Sequence, residues 1–269
     1  MNGVSISTTI FGPKGMAVAP LEEALDKIAE AGYRLIEISR KHLKPGLTAE
    51  AVARRGLKVW SVHGALGGGS VSLEEAVRRE AVAGEMALME LAAVFAPCPY
   101  VVHYLNRFHD EARGVVFRKS VEELLRRAET LGFSLAVETV PDKVENERFP
   151  PSREVAAFVR SLKSPSASVC LDVNHSNIGE DIFVVCRNCA GLVSNIHVSD
   201  NWGVLEDHLP PGQGSIPLAA VMQAVAGGGY QGPLNIECHV PGYPSLGVLK
   251  QMREWAEKTV AGLKGGTEG

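Results

Sequence analysis

Short, β-prone apolar runs alternate along the chain with segments whose apolar residues recur every three or four positions. The runs are VSISTTI (4–10), RLIEIS (34–39), LKVWSVH (57–63), YVVHYL (100–105), SLAVET (134–139), SVCLDV (168–173), VSNIHV (193–198) and PLNIEC (233–238). Each is rich in Val, Ile and Leu and short enough for a strand buried on both faces. Helical spacing covers 20–32, 72–95, 111–132, 152–162, 217–229 and 245–263, with weaker segments near 48–55 and 180–190. Pro20 and Gly32 bracket the first helix. Ser72, with Glu75 three residues on, predicts a capping box at the start of the third.

Strict alternation of strand and helix with nearly continuous apolar strands predicts a parallel sheet. Eight such units in 269 residues predict an α/β fold, a single (β/α)8 TIM barrel forming one domain over 1–269. An open doubly wound sheet is the alternative, but no GxGxxG follows the first strand and no shift in composition marks a second domain.

Composition narrows the setting. With 45% hydrophobic residues the chain can fill a large core, and a net charge of −4 without a basic block gives no reason to expect nucleic acid or anionic membrane. The N-terminus lacks the charged-then-apolar pattern of a signal peptide, and no window approaches ~18 uninterrupted apolar residues. Five cysteines are an odd set, which fits a reducing, cytoplasmic setting better than a disulfide framework.

The polar exceptions carry the chemistry. His42, His63, His103, His109, His175, His197, His208 and His239 all fall at strand ends or just after them. In a barrel those positions form the face that carries active sites. Glu138, Asp172, His197 and Glu237 close the fifth to eighth strands. Three carboxylates and one imidazole at one point suit a divalent cation, Mn²⁺ foremost, with Mg²⁺, Co²⁺ or Zn²⁺ as alternatives. Without a cation, three buried carboxylates would repel one another strongly.

On these segments the sequence resembles the xylose-isomerase-like TIM barrels, which include sugar phosphate isomerases and epimerases and the apurinic endonucleases of the endonuclease IV type. The resemblance spans essentially the whole chain. SVHG (61–64), YVVHYL (100–105), LAVET (135–139), CLDVNH (170–175), NIHVSD (195–200), EDHLPPGQGSI (206–216) and LNIECH (234–239) carry it. It implies that Glu138, Asp172, His197 and Glu237 are metal ligands, with Glu138 and Glu237 also acting as catalytic acid and base. It further implies that His63, His103, His175, Glu206 and His208 contact substrate or hold auxiliary metals.

Two chemistries follow from the resemblance. The isomerase branch removes and returns a proton next to a carbonyl through an enediolate stabilised by the cation. The endonuclease branch cleaves abasic DNA with up to three metals. The acidic balance, and the small, flexible loop GALGGGS (64–70) with no basic or aromatic wedge, favour the isomerase reading. The expected partner is therefore a small carbohydrate, with no nucleic acid and no membrane, and with a homo-oligomer as a possible assembly. A barrel that binds a sugar as a sensor is a third reading, opposed by the intact acid–base carboxylates.

Keto-sugar epimerases of this superfamily usually carry a glutamate and an arginine where this chain has Val144 (beside Glu145) and Gly203, which points away from a ketohexose 3-epimerase. Trp60 and Trp202 are candidates for an apolar wall, and Arg107 or Lys143 for an anion contact. CRNC (186–189) is expected to be two buried thiols. The GGG runs (67–69 and 227–229) are expected to be loop or helix stop, and PPGQGSI (210–216) to fold over the site. His42, His109 and His239 are expected at the surface or behind the ligands.

Overall fold

A computed structural model describes residues 1–12, 15–106, 110–141 and 151–265. The expectations for Arg107, His109, Lys143, Val144 and Glu145 lie outside them.

Strands and helices alternate in chain order: β1 (Val4–Ser7), α1 (Leu21–Glu30), β2 (Leu35–Ser39), α2 (Ala49–Ala53), β3 (Lys58–His63), α3 (Glu75–Ala92), β4 (Pro99–His103), α4 (Glu111–Leu131), β5 (Ser134–Glu138), α5 (Ser152–Ser161), β6 (Ala167–Asp172), α6 (Val173–Ser176), α7 (Ile182–Cys189), β7 (Val193–His197), α8 (Leu218–Gly227), β8 (Leu234–Ile236) and α9 (Leu246–Gly265). The eight strands pair in parallel in the order β7-β6-β5-β4-β3-β2-β1-β8. A parallel bridge between Val198 and Ile236 joins the two ends. The sheet is therefore a nearly closed TIM barrel, as the alternation predicts. Among the described residues, no helix is long and apolar enough to cross a membrane.

Alternation along each strand sorts the residues. Ile36, Ile38, Val62, Val102, Leu135, Val137, Leu171 and Ile196 are fully buried in the main core cluster, which also takes in the helices. The intervening positions face the barrel lumen, where Val101, Ala136 and Cys170 form a small cluster of their own. Two irregularities preserve this sorting. Register shifts between β2 and β3 and between β6 and β7 leave Trp60 and Ser194 without a paired partner. These bulges change the parity of the strand, so that Val59 packs outward while Ser61 and His63 point inward. Trp60 reaches Asn195 Oδ1 with its indole N–H, 2.9 Å away, and borders a cavity with Pro97, Cys98 and Phe133 at the N-terminal ends of the strands. It walls the far end of the barrel, not the ligand face.

The capping box predicted at Ser72 does not form. Helix α3 starts at Glu75 with Glu74 as its cap residue. Ser72 ends a preceding 3-10 turn at Gly68–Val71, and Glu75 is engaged instead by Arg78, Arg79 and Lys119. The loop expected to be flexible after β3 is anchored: buried Glu85 accepts from the N–H groups of Ala65 and Leu66 and from the Tyr100 hydroxyl. The first strand also stops early, because Thr8–Phe11 turns into a 3-10 helix. There the Thr8 hydroxyl accepts from Ser39 N–H and meets His42 Nδ1. His42 is thus buried structure, not surface.

Candidate active site

Side chains two residues apart on a strand share a face, so the lumen is built in layers. Glu138, Asp172 and His197 are the last residues of β5, β6 and β7, and Glu237 follows β8 by one residue. All four are buried. His197 stands in the middle: its Nδ1 lies 2.9 Å from Glu237 Oε2, 3.3 Å from Glu138 Oε1 and 3.8 Å from Asp172 Oδ2. One ligand atom from each of the four falls within 4.8 Å of the others.

The auxiliary residues close around this group. Asp172 caps α6 by accepting from His175 N–H at 2.8 Å. That turn brings the His175 ring back over the site, 3.3 Å from Glu138 Oε1. His175 Nε2 and His208 Nε2 meet the same atom, Glu206 Oε1, at 2.9 and 3.1 Å. His208 holds φ +48° to do so. On the opposite side, His63 bonds Glu237 Oε1 at 3.0 Å through Nδ1, and its Nε2 stands 3.3 Å from His103 Nε2. The triads His63–His103–Glu138 and Asp172–His175–His208, and the group Glu37–His63–His197–Glu237, likewise bring one ligand atom from each member within 4.8 Å of the others. His239 is half-buried with its ring 5.1 Å from that of His208.

Burial and imidazoles oppose each other in setting the charges. Burial disfavours ionised Glu138 and Glu237, but the neighbouring imidazoles, His197 foremost, outweigh it and hold both carboxyls well below the usual carboxylate range. Burial raises Asp172, reinforced by the charge of Glu138. Burial also opposes protonated His63, yet Glu237 and Glu138 push that imidazole up to about 10. His103, half-buried at the rim beside His63 and His175, is pushed down to about 4, chiefly by desolvation.

Two carboxylate oxygens in the centre, Glu138 Oε2 and Asp172 Oδ2, are buried and accept no hydrogen bond. Leaving such atoms unmatched is costly in a low-dielectric interior. A cation between them removes the cost, and the oxygen-rich donor set with one imidazole fits a hard or borderline divalent ion.

Other expectations fall elsewhere. Trp202 is 64% exposed, with Val204 and Leu205 exposed beside it. Cys186 and Cys189 are free and buried in α7, the two buried thiols expected, and burial pushes them up to about 11 and about 12. Gly227 ends α8, the helix stop expected of the second glycine run. PPGQGSI is pinned at the barrel rim, where Asp200 accepts from Gly212 N–H and Ile216 N–H. Its outer side forms a groove of about 540 Å³ against Tyr243, Met252 and Trp255. Sequence reading passed over Glu37, Glu85 and Asp200. The signal for Glu37 was present: a single carboxylate inside the apolar run LIEIS.

Comparison with known proteins agrees with this architecture. The family described as "Xylose isomerase-like TIM barrel" matches residues 25–259. The chain is 24% identical over 264 residues to a D-psicose 3-epimerase of Agrobacterium fabrum, covering 91% of this chain and 86% of the relative. It is 25% identical over 228 residues to a ketose 3-epimerase of Arthrobacter globiformis, covering 80% and 76%. The solved structure of an L-ribulose 3-epimerase superposes with a TM-score of 0.84 at 19% identity, covering 100% of this chain and 97% of that one. With its nearly closed ring of eight strands and a family match over most of its length, the chain belongs to the xylose isomerase-like TIM-barrel family.

Proposed function

We propose that this protein is a divalent-metal-dependent isomerase or epimerase of a small sugar, sugar phosphate or polyol-derived keto compound, working through an enediolate. The observation that carries the reading is the convergence of Glu138, Asp172, His197 and Glu237 on one point. These four side chains would hold the cation, Mn²⁺ foremost. When bound, such a cation polarises the oxygens of the substrate and stabilises the charge that develops as a C–H next to a carbonyl loses its proton.

The chain's own residues supply the proton transfers. Glu138 and Glu237 reach the centre from β5 and from beyond β8, three places apart in the ring. One carboxylate takes the proton, and the C–H electron pair becomes the C=C bond of the enediolate while the carbonyl oxygen gains the charge. The other carboxylate returns a proton. Return to the opposite face of the same carbon re-forms the original carbonyl and inverts that carbon; return to the former carbonyl carbon isomerises, the adjacent hydroxyl becoming the new carbonyl as its proton passes to the oxygen that carries the charge. His63, donating to Glu237 Oε1, keeps that carboxyl in its proton-accepting form.

The curated relatives named as ketose and psicose 3-epimerases support an epimerase chemistry. Gly203 argues for a different substrate fit. It adopts φ +81°, a conformation that an arginine side chain would strain. The test is a panel of keto- and aldo-sugars, free and phosphorylated, incubated with Mn²⁺ in D₂O. One deuteron entering a substrate carbon supports the proposal.

The alternative, a metal-dependent phosphodiesterase of abasic DNA, draws on the two additional His-containing triads. Incision of an abasic duplex at moderate salt, with no deuterium entering any sugar, would reverse the assignment.

A further inference from the structure

One buried acid takes no part in the chemistry above. Glu37, in the middle of β2, is fully buried and sits in the lumen layer beneath the ligands. Its Oε2 accepts from Ser61 Oγ at 2.7 Å, Asn235 Nδ2 at 3.0 Å and Asn195 Nδ2 at 3.1 Å. Each donor lies two residues before a member of the upper layer: Ser61 before His63, Asn195 before His197, Asn235 before Glu237. His197 Nε2 meets the same Oε2 at 3.0 Å. The two ring nitrogens of His197 thus point in opposite directions, Nε2 down to Glu37 and Nδ1 up to Glu237, Glu138 and Asp172.

We propose that Glu37 is a positioning residue that anchors the Nε2–H of His197 and so dedicates its Nδ1 lone pair to the cation; this rests on the metal-centre reading above. A neutral imidazole has one N–H and one lone pair, and the hydrogen bond made by one nitrogen decides which role the other plays. An ionised carboxylate accepts and cannot donate, so it selects the tautomer with Nε2 protonated. It also increases the donor strength of the other nitrogen, as carboxylates behind metal-bound histidines do. The amides of Asn195 and Asn235 and the Ser61 hydroxyl serve this purpose by fixing the carboxylate and offsetting its burial.

Two readouts test the assignment. In long-range ¹H–¹⁵N spectra of the metal-free wild-type protein, His197 should show an Nε2–H that is protected from exchange and shifted downfield by its carboxylate acceptor. Its absence would overturn the proposal whether or not any variant folds. In Glu37→Gln, verified as folded by circular dichroism, that signal should move upfield and the Kd for Mn²⁺ by calorimetry should weaken about 10- to 100-fold. Ser61→Ala removes a donor from the same carboxylate without touching His197, and should keep the signal and lose no more than about threefold in affinity, below that range. An unchanged signal in Glu37→Gln, or equal losses in both variants, would make Glu37 an ordinary buried acid. If the wild type binds no Mn²⁺, the metal-centre reading fails on that titration alone, and the Nε2–H signal still decides the role of Glu37.

Discussion

Two carboxylate clusters in this molecule make opposite use of charge. On the helical shell, Glu75 pairs with Arg78, Arg79 and Lys119 at 2.8 to 2.9 Å, and Arg78 also reaches Glu123 at 2.9 Å. Every acid there meets a cation whose charge is permanent at ordinary pH. In the barrel mouth, among the described residues, the ion-pair partners of Glu37, Glu138, Asp172 and Glu237 are all imidazoles. Imidazoles change charge, exchange protons and bind metals, and three oxygens of the cluster, on Glu37, Glu138 and Asp172, still lack a hydrogen bond. The shell cluster is self-sufficient and joins α3 to α4. The mouth cluster keeps buried carboxylate oxygens without a hydrogen bond, which is what the proposed cation would use.

Substitutions at the two sites should separate these roles. The largest effect is expected in the mouth: Glu237→Gln should lower kcat about 10²- to 10⁴-fold while circular dichroism stays native. Unchanged turnover would remove Glu237 from the mechanism.

Next comes the cation. Saturating Mn²⁺ at 100 times Kd should stabilise the wild type by about 2.7 kcal/mol, read as a rise in Tm. The rise should disappear in Asp172→Asn and persist in Glu75→Gln. Elemental analysis should return one ion per chain for the isomerase centre, whereas three would favour the phosphodiesterase.

Arg78→Met should cost about 1–3 kcal/mol in denaturant unfolding, since it removes a buried guanidinium and its packing. Activity per folded molecule should be retained. A large loss of activity would show that the shell cluster is not merely structural.

The smallest effect concerns pH. Hydrogen bonds from Arg78, Lys119 and Arg79 hold Glu75 below its ordinary value near 4.5. Its stabilising contribution is therefore fully present above that value and is lost as pH falls towards the lower, folded-state value. The Tm difference between wild type and Glu75→Gln should accordingly be largest near neutrality and shrink in acid. A constant difference would mean that the effect is not ionic.

The fold was legible because its signals are local and repeated. Eight Val/Ile/Leu runs alternate with helical segments, the first of them bounded by Pro20 and Gly32, which the structure keeps at the helix boundaries. The four strand-end ligand candidates were legible for the same reason, since a charged residue at the tip of an apolar run stands out. Several features were hidden. The bulge at Trp60 was invisible because LKVWSVH reads as one even strand, and only its partner strand shows the skipped position. Ser72 looked like a helix cap but closes a 3-10 turn, while Glu75 pairs with Lys119 in α4 and with Arg78 and Arg79 in α3 itself.

By itself, the order of residues determined the alternation, the parallel barrel and the set of side chains that can ligate, because these follow from periodicity and from which groups stand at strand tips. Tertiary structure alone decided the rest. It brought Glu206 between His175 and His208, raised His63 and lowered His103 within one cluster, and placed Glu37 under His197 across 160 positions of chain. These outcomes depend on distances and burial, which arise only when the ring closes and remote strands share one lumen.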